Sequence, residues 1–228
     1  MVRIYNCSMK DLLIVANFKS NKTDSESLSY ISDFAKNYEK KDNKKIVFCP
    51  SFTSLPTFSK YAKDSENIFI GAQNVSPFDL GPFTGEVAAR QLEEFCKFCL
   101  VGHSERRINF AEDDSLIEDK VRLLLESNIT PILCISSLEK LFLQENLEKC
   151  VVVFEPLESI GTGNPADPAN AEKVSSEIKK KGDIKVLYGG SVDAQNVRSF
   201  TSLSSIDGVL IGLESLDETS FLEIIKNG

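Results

Sequence analysis

The sequence predicts a single (β/α)8 barrel, and three observations lead there. Eight short apolar runs recur along the 228 residues. Stretches with helical periodicity separate most of them. The polar residues able to do chemistry collect where the runs end, which is the rim at which a parallel barrel gathers its loops.

The first run, Leu12–Lys19, leads into a helix signalled by Thr23 and Glu26 at capping-box spacing. Leu28, Ile31, Phe34, Ala35 and Tyr38 then share one helical face. Further strands are expected over Lys45–Ser51, Asn67–Asn74 and Phe98–Glu105. A helix over Glu112–Ser127 would bury Leu116, Ile117, Val121, Leu124 and Leu125. Strands follow at Thr130–Ser136, Cys150–Pro156, Ile184–Ser191 and Ile206–Leu213, with helices over Leu138–Lys149, Asp167–Lys181, Asp193–Leu203 and Asp217–Asn227. Only 20 residues separate Cys134 from Glu155. A β/α/β unit normally takes about 30 or more, so the fifth β/α unit is expected to be shortened. No linker interrupts residues 1–228, which read as one barrel domain.

Composition narrows the partners. The net charge of −8 disfavours nucleic acid and anionic membranes, and an anionic substrate would need local positive charge. No apolar run approaches the ~18 residues of a membrane span. Met1–Lys10 is too short and polar for a secretory signal. Of the cysteines, Cys49, Cys99, Cys134 and Cys150 fall in or beside strands, Cys96 ends a helix and Cys7 lies in the leader. Core thiols in a reducing compartment, the cytoplasm, explain them. Cys96 and Cys99 have metal or redox spacing, but neither a second pair nor a nearby histidine supports such a site.

Three rim residues stand out. Glu155 follows Val151-Val152-Val153-Phe154, where a carboxylate either caps the next helix or transfers protons. His103, the sole histidine, reads as a hydrogen-bonded core residue or as a proton donor. Lys19 is either solvated or a fixed cation at the rim. Gly161, Gly189, Gly190 and Gly212 make turns, or else offer amides to an anion.

The motifs settle these choices by resemblance. Asn17-Phe18-Lys19, Gly102-His103-Ser104-Glu105-Arg106-Arg107, Phe154-Glu155-Pro156, Ile160-Gly161-Thr162-Gly163 and Tyr188-Gly189-Gly190-Ser191-Val192 occur in the order and at the strand ends of the triosephosphate isomerase family. Ala72-Gln73-Asn74-Val75 and Phe83-Thr84-Gly85-Glu86 add to the resemblance, which runs from Leu12 to the C-terminus. It implies a TIM barrel that interconverts dihydroxyacetone phosphate and glyceraldehyde 3-phosphate through an enediol, in glycolysis and gluconeogenesis, without metal or organic cofactor. Glu155 would be the general base, and His103 a neutral electrophile at a helix N-terminus. Lys19 would attract the anion and stabilise the oxyanion, and Asn17 would position both Lys19 and the carbonyl region. Glu105 would pair with Lys19 or His103, the plainer reading being a surface bridge to Arg106. Gly161, Ser191, Gly212 and Leu213 would hold the phosphate. The family also implies a homodimer in which the loop Gln73–Glu86 enters the partner, with Thr84 at its tip. Val75, Phe78, Leu80 and Phe83 make that loop apolar.

The chain departs from the family pattern at the lid and at one phosphate loop. Glu158 stands where the family usually has tryptophan, and Cys134-Ile135-Ser136-Ser137 where it usually has Cys-Ile-Gly-Glu. Both changes remove anchors of the lid hinge, so Glu158 is expected to favour an open lid. Leu213 replaces a second glycine, which would strain a backbone that needed positive φ. Two other readings are open. One is a phosphosugar-binding or scaffold protein whose turnover is impaired by the lid; the other is a barrel isomerase of larger phosphorylated sugars or an anthranilate derivative, which the Gly102–Arg107 motif disfavours.

Overall fold

The computed structural model describes residues 10–41, 43–63, 65–141 and 145–228. Cys7 and most of the leader lie outside the described residues.

Eight parallel strands pair in sequence order and close on themselves, β1 bonding to β8 as well as to β2. They are β1 (Leu12–Asn17), β2 (Lys44–Cys49), β3 (Ile68–Ala72), β4 (Phe98–Val101), β5 (Thr130–Ile135), β6 (Val151–Phe154), β7 (Lys185–Gly189) and β8 (Gly208–Ile211). Side chains alternate between two cores, as the twofold period of a strand requires. Leu13, Val15, Val47, Cys49, Leu100, Ile132, Val153, Leu187 and Leu210 fill the lumen. Ile14, Ala16, Ile46, Phe48 and Val152 face the helical layer. Gly208 is demanded by close approach, since a Cβ there would overlap the Leu13 backbone.

Each strand stops one to four residues before its apolar run does. At the rim the ladder partners diverge and the chain turns out into loops, so the last residues of each run serve the site. The run ending at Glu105 shows this most clearly. Ladder pairing ends at Val101, and a short helix begins at Ser104.

The helices are α1 (Asp24–Asn37), α2 (Leu55–Ala62), α3 (Ala89–Leu92), α4 (Ser104–Asn109), α5 (Asp114–Glu126), α6 (Pro168–Lys179), α7 (Val197–Thr201) and α8 (Glu218–Asn227). Thr23 closes a capping box on α1, with its side chain accepting from Glu26 N–H. The buried face of α1 is Ser27, Tyr30, Ile31 and Phe34, whereas Leu28 and Ala35 point outward. The large rings Tyr30 and Phe34 pack edge-on against Phe18 and Phe48, and they set the rotation of the helix. In α5, Ile117, Val121, Leu123 and Leu124 are buried, with Leu116 and Leu125 half-buried. Asp113, Asp167 and Asp217 accept amide hydrogens at the starts of α5, α6 and α8.

Between β5 and β6 the expected Leu138–Lys149 helix is replaced, among the described residues, by two single 3₁₀ turns, Leu138–Lys140 and Leu147–Lys149. Among its described residues the short connection forms these tight turns. The Asp193–Leu203 helix shrinks to α7, because Asp193 is spent on turning the chain and accepts from the Gln195 and Asn196 amides. Helices α3 and α4 are too short to show a periodic stripe, whereas α2 buries Leu55 and Phe58 one turn apart, a signal the sequence reading passed over.

Cys49, Cys96, Cys99, Cys134 and Cys150 are free, buried thiols. Among the described residues no helix is long and apolar enough to cross a membrane.

Candidate active site

The C-terminal rim encloses a cavity of about 310 Å³ lined by Asn17, Lys19, His103, Glu155, Gly161, Ser191, Gly212 and Leu213. Eight of the residues singled out from sequence thus meet in one place, from strands β1, β4, β6, β7 and β8.

Glu155 sits one residue past β6, held there as its N–H donates to Ile135 O at 2.8 Å. Its side chain is buried, and Oε2 has no hydrogen-bond partner. A buried carboxylate oxygen left in this state is costly unless a ligand completes it. Space for the side chain comes from Gly189, where a Cβ would lie 2.5 Å from Glu155 Cγ. Burial, and then the neighbouring Glu155 carboxylate, hold the Cys134 thiol well above its usual range.

His103 is the N-cap of α4. Its Nδ1 accepts the Glu105 N–H at 3.3 Å, so the ring proton belongs on Nε2. That Nε2 lies 3.6 Å from Glu155 Oε2. The chain reverses sharply before the ring at Gly102, whose φ is +69°.

Lys19 is held from several sides. Its N–H donates to Asn17 Oδ1 at 3.0 Å, and its carbonyl accepts from Gln73 Nε2 at 2.8 Å. Its ammonium meets Glu105 Oε1 at 2.5 Å. Its φ of +52° lies in the left-handed region that a lysine rarely adopts. The surrounding bonds hold the strained backbone in place, and the ammonium is placed at the cavity wall as a result. Glu105 therefore pairs with Lys19, while its Oε2 stands 3.8 Å from His103 Nδ1. Arg106 turns away to Glu112, at 2.5 Å.

Behind these groups lies a buried charged network. Lys120 and Glu112 pair at 2.5 Å with almost no solvent exposure, and Lys120 also donates to Asn74 Oδ1 at 2.7 Å. Burial lowers the Lys120 pKa against the pull of Glu112. The network joins α4, α5 and the end of β3 beneath the His103 turn.

Two further loops close the cavity. Ser191 Oγ donates to Ser159 O at 2.7 Å and accepts the Gly163 N–H at 3.0 Å, tying the loop after β6 to the loop after β7. Tyr188 reinforces this, accepting from Ala166 N–H and donating to Gly190 O. Gly161 has φ +70° and open space around it. The Leu213 backbone is not in the left-handed region, so the condition under which replacing a glycine would bring strain is not met. It starts a 3₁₀ turn, Leu213–Leu216, capped by Gly212, and that turn needs ordinary negative φ. Among the cavity-lining residues the strained positions are instead Lys19 and Ser191, the latter at φ +51°.

Glu158 lies on a 3₁₀ turn, Leu157–Ser159, and is exposed. It makes no ion pair among the described residues. A hollow of about 350 Å³ opens on the far side of Glu155, between Cys134, Ser136, Arg107, Lys140 and Leu157. Gln73 lies behind Lys19, where it also donates to Cys49 O. Thr84 and Glu86 are outside the cavity on an exposed loop. In that loop Phe78 and Phe83 stack at 4.3 Å and stay solvent-exposed with Leu80, but Val75 is core. Sequence reasoning missed Asp193 and Glu214 as cavity-lining residues. It also missed Gly189 as the seat of Glu155. The signal for Glu214 was its place directly after Gly212-Leu213.

The arrangement sets a buried carboxylate beside an imidazole and a lysine side chain, with glycine-rich loops in the same cavity wall. It can move a proton at carbon while an adjacent oxygen gains negative charge. The family model described as triosephosphate isomerase matches residues 12–228. The chain is 38% identical to the triosephosphate isomerase of Aquifex aeolicus (strain VF5), over 93% of this chain and 98% of that protein. It is 36% identical to that of Mesomycoplasma hyopneumoniae (strain 7448), over 94% and 98%. It is 35% identical to that of Dictyoglomus thermophilum, over 96% and 100%.

Proposed function

The chain belongs to the triosephosphate isomerase family, and on that premise we propose that it interconverts dihydroxyacetone phosphate and D-glyceraldehyde 3-phosphate through an enediolate. Glu155 removes the proton from the carbon beside the carbonyl and returns it to the neighbouring carbon. His103 donates from Nε2 to the enediolate oxygens and passes the proton between them. The Lys19 ammonium stabilises the charge on oxygen; Glu105 holds that ammonium and Asn17 holds the Lys19 backbone. Product and substrate are isomers, so the route consumes no external oxidant or reductant.

The amides around Gly161, Ser191, Gly212 and Leu213 take the phosphate, in the manner of loops after the last strands of a barrel. The bridge from Ser191 to Ser159 and Gly163 supports this, because it draws two of those loops to one side of the cavity. The observation that carries the reading is Glu155 Oε2, buried, without a partner and 3.6 Å from His103 Nε2.

The exposed Phe78, Leu80 and Phe83 support a homodimer in which the Gln73–Glu86 loop is covered by a second copy. Five buried free thiols are consistent with the reducing cytoplasm.

A coupled assay in both directions tests the activity. Turnover of both triose phosphates is expected, with steep loss in Glu155→Gln. Binding of a triose phosphate without turnover would leave a phosphosugar-binding protein instead.

A further inference from the structure

We propose that Glu214 is a specificity-determining residue that weakens the hold of the cavity on phosphate dianions. The proposal rests on the functional reading above. Glu214 follows Gly212 and Leu213 in the 3₁₀ turn after β8 and lines the same cavity. Its carboxylate is half-exposed and has no ion pair or side-chain hydrogen bond among the described residues.

The charges facing it are unfavourable to an anion. Asp193, on the adjoining loop, lines the cavity and spends Oδ1 on two amides at 2.8 Å. Glu155 adds a third carboxylate to the lining. The cation in the lining, Lys19, is already bridged to Glu105. A Cβ on Gly212 would lie 3.7 Å from Lys19 Cε, so the turn that carries Glu214 borders the lysine.

Phosphate affinity here therefore comes from backbone amides working against carboxylates, with Lys19 half neutralised. Phosphate monoesters and inorganic phosphate are largely dianionic at neutral pH, with a second pKa near 6. Repulsion by one carboxylate at the edge of the site, in a medium of high effective dielectric, amounts to roughly a three- to tenfold loss of affinity. It falls with salt, because the carboxylate is partly solvated. Glu214 thereby favours release of phosphorylated product and resists occupation of the site by free phosphate.

The test is the Kd of inorganic phosphate, measured by NMR titration for wild type, Glu214→Gln and Glu214→Lys at about 50 and about 300 mM salt. We expect Glu214→Gln to bind phosphate about three- to tenfold more tightly at low salt, Glu214→Lys more tightly still, and both gains to shrink at high salt. KM for the triose phosphate should fall in parallel, with less change in kcat. Phosphate affinity that is unchanged or weaker in both variants overturns the proposal. A matching loss of thermal stability would identify Glu214 as a structural residue of the turn. The coupled assay separates this failure from that of the functional reading. An active wild type whose phosphate affinity ignores residue 214 overturns this inference alone. Protein that neither turns over nor binds phosphate in any variant overturns both.

Discussion

Glu155 Oε2 stands 3.6 Å from His103 Nε2, and both side chains are buried. The backbone amide of Glu105 occupies the other ring nitrogen, so this short gap joins a carboxylate to an N–H donor. Glu155→Gln and Glu155→Ala should each lower kcat by about 10²–10⁴ with unchanged circular dichroism. Gly189→Ala should lower activity too, because its new Cβ would sit 2.8 Å from Glu155 Oε1 and push the base aside. Normal activity in the Gly189 variant would mean that the base is not held by that contact.

Lys19 combines a strained backbone with a site cation, and two substitutions separate these properties. Lys19→Ala and Lys19→Gly should both lose triose-phosphate affinity and turnover, because both remove the ammonium. Glycine tolerates the φ of +52°, so Lys19→Gly should be more stable than Lys19→Ala by about 1 kcal/mol. Thermal unfolding gives the comparison, and equal stabilities would contradict the strain.

The Glu112–Lys120 pair is buried beneath the His103 turn. Glu112→Leu would leave Lys120 in the core with Asn74 as its remaining hydrogen-bond partner among the described residues. Breaking one side of a buried pair typically costs about 3–5 kcal/mol, and urea unfolding should read a loss of that order. A loss below 1 kcal/mol would show that Lys120 reaches solvent or deprotonates at little cost.

The loop after β3 exposes Phe78, Leu80 and Phe83. Deleting Ser76–Pro82 should give a monomer by light scattering, with much reduced activity. A dimer after the deletion would place the interface elsewhere.

Alkaline pH should destabilise the fold through its thiols. Burial pushes Cys96 and Cys150 up to about 12, and raises Cys49, Cys99 and Cys134 as well. The unfolded chain ionises its thiols from about pH 8.5 while the folded chain does not. Stability is therefore fully present below that pH and declines as pH climbs toward the folded values, by at most about 1.4 kcal/mol per pH unit per thiol. Melting temperature should fall between pH 9 and 11 (roughly the window between the two states' thiol ionisations), and these five thiols of the folded protein should resist alkylation at pH 8. A flat melting profile would mean that the thiols are solvated.

What the sequence determined by itself was whatever a short window of chain can encode. The apolar runs specified all eight strands, and Thr23, Asp167 and Asp217 marked helix starts through side-chain caps that act within three residues. Glu155, His103 and Lys19 were legible because each sits at a strand end inside a recognisable motif. The tertiary structure decided the pairings. Lys19 and Glu105 are 86 positions apart, and only closure of the barrel brings the ammonium to that carboxylate and leaves Arg106 to Glu112. The seat of Glu155 on Gly189, the Ser191 bridge and the place of Glu214 in the cavity wall likewise join separate strands. Periodicity reports which face of an element is apolar, but not which loops meet at the rim. That depends on register and turn geometry summed around all eight strands.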